Sequence, residues 1–284
     1  MLWKGRRESS NVDDRRGMSG GGKMIAGGGI IGVIALLVNM FLGGDGGDLT
    51  QILTQQQQNE PLTAEQKAAD NQRASFVKVV LADTEDVWGK IFADQGKQYP
   101  KPTLVLFRNA TESGCGYASA ATGPFYCPVD QDVYIDLSFA EDLETRFGAS
   151  GEFALAYVVA HEVGHHIQTL TGASQKVQQV REQSSEREAN KYSVMLELQA
   201  DFYAGVWAHY DQKMKNVINS NDIDEALTAA NAIGDDRLQQ QSQGRVVPDA
   251  FTHGTSAQRV YWFKKGFETG DLKQGDTFSD PSLQ

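Results

Sequence analysis

The stretch FALAYVVAHEVGHH, Phe153 to His166, joins eight residues of nearly continuous apolar sequence to three of the chain's five histidines. A helix is expected from near Gly151 to Gly172, with the second glycine as its C-terminal cap. On that helix His161 and His165 are about one turn apart and leave the same face. Two imidazoles so placed can reach one tetrahedral zinc ion at about 2.0–2.1 Å. Glu162, rotated by about 100° from His161, sits at the edge of that face and is better placed to reach a water than the metal. This is the logic of H-E-x-x-H: two ligands and one general base. Gly164 leaves room beside the metal face. His166 points about 100° away from His165 and reads as structural. A buried helix has little tolerance for unpaired imidazoles, which favours a metal as their partner.

A catalytic zinc usually keeps three protein ligands, so another is expected downstream. ELQADFYAGVWAHY, Glu197 to Tyr210, is an apolar helix carrying two carboxylates four residues apart. Carboxylates among Leu198, Phe202, Val206 and Trp207 need a partner. Glu197 is therefore expected as the third ligand. Asp201, one turn on, is expected to accept the free ring N–H of His161 and fix its tautomer. His209 lies about 18 Å along the helix from Glu197 and reads as structural.

The rest of the chain frames this core. Thr63 to Gln95 is helical in pattern, with apolar residues at three- and four-residue steps. KPTLVLFRN, FYCP and VYIDLSF read as short strands, and Thr255 to Thr269 as a last helix opened by a capping box. The order predicts an α+β fold, a small sheet on the active-site helix with a mainly helical C-terminal part. The folded domain is expected over 63–270, and 271–284 as a loose tail. The net charge is −11 with a pI of about 4.9, which argues against nucleic acid as a partner.

The first 23 residues hold six basic side chains against three acidic ones, a net of +3, which leaves −14 for the rest. They read as a basic cytoplasmic tail. MIAGGGIIGVIALLVNMFLGG, Met24 to Gly44, carries no charge and is long enough to span a bilayer. A permanent anchor is expected over 24–43, with a flexible linker over 44–62. The positive flank predicts a single-pass inner-membrane protein, its N-terminus cytoplasmic and its catalytic domain periplasmic. Cys115 and Cys127, in an exported domain, then read as a disulfide.

HEVGHH followed by ELQAD resembles the gluzincin type of zinc peptidase. With GRRESSNVDDRRG, GCGYASAATGPFYCP, VYIDLSF and GRVVPDAFTHGTSAQR, nearly the whole chain is similar to the bacterial membrane-anchored neutral zinc metallopeptidases, the YpfJ-like family. The resemblance implies a zincin-like fold, a Zn2+ cofactor and a peptide or protein substrate. It also implies that His253, in FTHGTSAQR, donates to an oxyanion, with Arg259 supporting that region. In such folds an edge strand beside the metal aligns the substrate, and Gln131 to Leu137 is the expected segment. The implied activity is a membrane-anchored zinc metalloendopeptidase with Glu162 as base. The rival expectations are a non-catalytic, zinc-containing anchored scaffold protein and a zinc amidase acting on cell-wall peptides.

Overall fold

The computed structural model describes residues 1–17 and 62–283. Strand β1 (Val12–Asp14) comes first, followed after the undescribed stretch by helix α1 (Ala64–Asp94), which Thr63 and Gln66 open with a capping box. Strands β2 (Leu104–Phe107), β3 (Ala110–Ser113), β4 (Gly116–Ser119), β5 (Phe125–Cys127) and β6 (Asp132–Asp136) follow. The remainder is helical: α2 (Phe139–Thr145), α3 (Glu152–Thr171), α4 (Ala173–Gln183), α5 (Glu186–Lys215), α6 (Ser220–Ala232), α7 (Asp235–Gln243) and α8 (Ser256–Thr269).

The main sheet has the order β1-β2-β6-β5. β1, β2 and β6 run parallel, and β5 is antiparallel to β6. β3 and β4 form a separate hairpin, which the Cys115–Cys127 disulfide ties to β5 across a Cα separation of 5.8 Å. Every residue of β2 is buried, as expected for a strand covered on both faces. β6, expected as the substrate-aligning edge within Gln131 to Leu137, is interior, and its Val133, Tyr134 and Ile135 are buried between β2 and β5. The edge is β5.

Helix α3 packs its apolar run into the main core, and its first turn is capped from outside: the Phe153 N–H donates to Glu225 of α6 at 3.0 Å. Gly164 serves a close helix crossing rather than the metal face. A Cβ there would stand 3.0 Å from the Ala200 carbonyl oxygen, so glycine lets α3 and α5 come together at the two motifs. On the far side of α5, Gly205 and Gly266 meet reciprocally. A Cβ on either would lie about 2 Å from the main-chain oxygen of Phe263 or Phe202, so α8 is also drawn in tightly.

Residues 1–17 are not a separate tail. Val12 to Asp14 pair with Leu104 to Leu106, and Trp3 is buried against Phe76. Three of the basic residues that read as a membrane flank, Arg6, Arg7 and Arg16, are spent on carboxylates of α1. Arg6 donates to Asp83 at 2.7 Å, Arg7 to Asp86 at 2.6 Å and Arg16 to Asp70 at 2.7 Å. Asp70 and Asp83 are buried, where an unpaired charge would be costly.

This corrects the expected topology. A single crossing between residues 17 and 62 would put β1 and β2 on opposite sides of a membrane, yet they are hydrogen-bonded neighbours. Among the described residues no helix is long and apolar enough to cross a membrane, and the expected anchor and linker lie outside them. The preceding transmembrane helix, the bilayer partner and the inner-membrane placement with a periplasmic domain are therefore withdrawn.

The C-terminal segment also differs from the expected loose tail. Short 3-10 turns at Leu272–Gly275 and Thr277–Ser279 pack on α5 and α8, and Thr277 is fully buried.

Candidate active site

Helices α3 and α5 bring His161, His165 and Glu197 together. One ligand atom from each lies within 4.8 Å of the others. His161 Nε2 is 3.2 Å from Glu197 Oε2, and His165 Nε2 is 3.4 Å from Glu197 Oε1. Both imidazoles are held from behind by acceptors. His161 Nδ1–H donates to Asp201 at 2.8 Å, and His165 Nδ1–H donates to the Gln168 amide oxygen at 2.8 Å. Each Nε2 is thereby left as a lone-pair donor facing Glu197. Two imidazole nitrogens and a carboxylate, converging with their lone pairs, fit a divalent zinc ion.

Asp201 is fully buried and carries a dense set of donors. Besides His161 it accepts from the Tyr157 hydroxyl at 2.5 Å and from Arg259 Nε and Nη2 at 2.8 and 3.0 Å. Burial alone would raise its pKa, but the Arg259 and His161 charges outweigh that and hold it at about 2. Burial would likewise raise Glu197, yet the His165 charge and hydrogen bonds from both histidines hold it well below the usual carboxylate range. For His161 burial pulls the pKa down, while Asp201 and Glu197 pull it up further, to about 10. The metal-free site therefore favours a proton where a cation would sit.

Glu162 is next to this centre, lines the same cleft and hydrogen-bonds to none of the described residues. The cleft encloses roughly 810 Å³. Phe125 and Tyr126 of the edge strand form part of its wall, with Phe139 and Phe147 of the α2 region.

His253 lines the cleft as well, with its side chain half exposed. Its Nδ1–H donates to Asp235 at 3.1 Å. The other oxygen of Asp235 accepts the backbone N–H groups of Thr252, His253 and Gly254, which fixes the loop. Burial lowers the His253 pKa, and the Asp235 hydrogen bond and the Glu197 charge more than reverse it. Arg259 hydrogen-bonds to Asp201 behind His161 and lines the same cleft as His253.

His166 is buried with both nitrogens engaged. Its Nε2–H donates to the Pro100 carbonyl at 2.7 Å, and its Nδ1 accepts from the Tyr126 hydroxyl at 3.1 Å. His209 donates to the Phe267 carbonyl at 2.8 Å, away from the cleft.

Several members of the site were not singled out from the sequence. Tyr157 is four residues before His161 and Gln168 three after His165, so the same-face rule that paired the histidines also reaches them. Asp235 is 18 residues before His253 and has no local signal.

The family model described as "Putative neutral zinc metallopeptidase" matches residues 1–278. The chain belongs to this family. The match starts at residue 1 and so includes β1. Among relatives, the "Uncharacterized protein YpfJ" of Escherichia coli (strain K12) is 51% identical over 288 residues, covering 98% of this chain and 99% of that protein. The "Uncharacterized protein Rv2575" of Mycobacterium tuberculosis is 47% identical over 195 residues, or 65% of each chain. No solved structure matches the chain. Membership in a neutral zinc metallopeptidase family is thus established, whereas the membrane anchoring expected with it is corrected by the fold.

Proposed function

We propose that this protein is a zinc-dependent peptidase, with His161, His165 and Glu197 as ligands and Glu162 as general base. The observation that carries the reading is the arrangement around the two histidines. Each Nδ1 is held by an acceptor, each Nε2 faces Glu197, and beside them in an open cleft stands the Glu162 carboxylate, with no hydrogen-bond partner among the described residues.

When bound, zinc supplies Lewis acidity, which makes a water acidic near neutral pH and polarises a carbonyl. The Glu162 carboxylate accepts the proton of the attacking water and passes it to the leaving amine. His253 lines the cleft with Asp235 accepting from Nδ1; in its doubly protonated form, favoured by Asp235 and Glu197, its Nε2–H donates to the oxygen on which negative charge develops. Asp201 and Arg259 keep His161 oriented through the reaction. The free edge of β5 offers main-chain groups to an extended peptide, a role taken over from the segment first expected. Pro124 and Pro128 flank the strand and confine that pairing to Phe125–Cys127.

The test is zinc content of the purified protein together with cleavage of an unfolded protein substrate. Stoichiometric zinc, with cleavage abolished by a chelator and restored by added zinc, supports the proposal. Stoichiometric zinc with no cleavage of any unfolded substrate rejects it in favour of a non-catalytic role.

A further inference from the structure

We propose that the C-terminal segment Leu272–Ser279 is a working part of the metal centre, fixing the tautomer of His165 through Gln168 and Gln199. The proposal rests on the reading of His165 as a ligand.

Three hydrogen bonds run in series. The His165 Nδ1–H donates to Gln168 Oε1 at 2.8 Å. Gln168 Nε2 donates to Gln199 Oε1 at 3.2 Å. Gln199 Nε2 donates to the Gly275 carbonyl at 2.9 Å. Gln168 is fully buried and Gln199 is 7% exposed, so water does not readily substitute for either partner.

The direction of the chain is set by main-chain oxygens, which only accept. The Gly275 carbonyl requires the NH2 end of Gln199, which turns Oε1 toward Gln168. The Leu196 carbonyl, 2.6 Å from Gln168 Nε2, requires the NH2 end of that side chain too. Gln168 Oε1 is then left for His165 and can only accept. Nδ1 must therefore carry the proton, and Nε2 is left bare toward Glu197. A flip of either amide would place like groups in contact at a carbonyl.

The segment is seated firmly enough to impose this. The Thr277 hydroxyl donates to the Met195 carbonyl at 2.6 Å, two residues before Glu197. A Cβ on Gly275 would lie 2.4 Å from the Phe202 ring, so only glycine brings this carbonyl down to Gln199. The two histidine ligands thus differ. His161 is backed by a buried carboxylate, and His165 by a neutral relay that ends on the C-terminal backbone.

The experiment compares wild type with Gln199→Met, which keeps the side-chain volume, and with Gly275→Ala. Nitrogen-15 NMR of the metal-free protein, at alkaline pH where the imidazole is neutral, reports the His165 tautomer. Competition with a chromophoric chelator reports zinc affinity. Wild type is expected to show one tautomer, protonated at Nδ1. Both variants leave one buried Gln168 N–H without its acceptor while Leu196 still holds the other, so they are expected to raise the minor His165 tautomer detectably and to bind zinc about 10-fold or more weakly. An Nε2-protonated His165 in wild type overturns the proposal without any variant. Unchanged tautomer and affinity in a folded Gln199→Met protein overturns it as well. The tautomer is read without metal, so failure of the zinc reading, seen as wild type binding no zinc, remains distinguishable from failure of the relay.

Discussion

Arg259 of α8 grips Asp201 of α5 through Nε and Nη2, at 2.8 and 3.0 Å, with both side chains almost wholly out of solvent. Asp201 in turn orients His161. Removing the cation leaves a buried carboxylate without its strongest partner, and breaking such a pair costs about 3–5 kcal/mol. Arg259→Met is expected to lose stability on that scale in urea titrations and to bind zinc at least about 10-fold more weakly. A variant with native stability and native zinc affinity would show that the ion pair does not support the ligand.

Glu162 has no structural partner among the described residues, so its loss should leave the fold and the ligands intact. Glu162→Gln is expected to retain one zinc per chain while turnover falls by at least about 10²-fold, the usual scale of general base catalysis. Metal analysis and a peptide-cleavage assay on the same sample separate the two effects. Residual activity close to wild type would remove Glu162 from the role of base.

The metal-free centre should be sensitive to alkali. Burial lowers the pKa of His161, but Asp201 and Glu197 carry it from its ordinary 6.5 to about 10 in the folded chain. A raised folded-state pKa adds stability that is complete below about 6.5 and is lost as pH rises through 10. The melting temperature of metal-free protein is therefore expected to fall across that window. Zinc must displace the same proton, so its affinity should rise with pH over the same range. Chelator competition at several pH values checks this, and a flat profile would contradict it.

Trp3 links the N-terminal arm to the helix that bears His161 and His165. Its ring meets Phe76 edge-on at 5.5 Å, and its Nε1–H donates to Glu152 in the first turn of α3 at 2.7 Å. Trp3→Ala is expected to cost about 3–5 kcal/mol in denaturant titration, as for other buried aromatic truncations. A loss below about 1 kcal/mol would mean that the arm contributes little to the domain.

The centre of this fold was legible because its signals are local. The apolar run before His161, the four-residue spacing of His161 and His165, and that of Glu197 and Asp201 all follow from helix periodicity. Pairings between distant segments had no such trace. Arg6, Arg7 and Arg16 read as a membrane flank because nothing near them announces Asp83, Asp86 and Asp70. VYID read as an edge strand, although its apolar run suits a strand covered on both faces. Gln168 shares the histidine face, but Gln199 is neutral and polar, a type that is usually solvated, and only its burial marks it out. The C-terminal residues looked loose because their anchors are main-chain carbonyls, invisible to any pattern of side chains.

The pairing of Val12 with Leu104 fixes an order of assembly. A ribosome adds roughly 5–20 residues per second, so β1 emerges several seconds before the strand it must join. During that interval Trp3 and the arm's arginines have neither their pocket nor their carboxylates. Contacts of such long sequence separation also form slowly. The arm is thus synthesised well before the strand that it pairs with. A nascent chain halted before β2 would carry an arm open to chaperones, a state that ribosome-bound intermediates of graded length could capture.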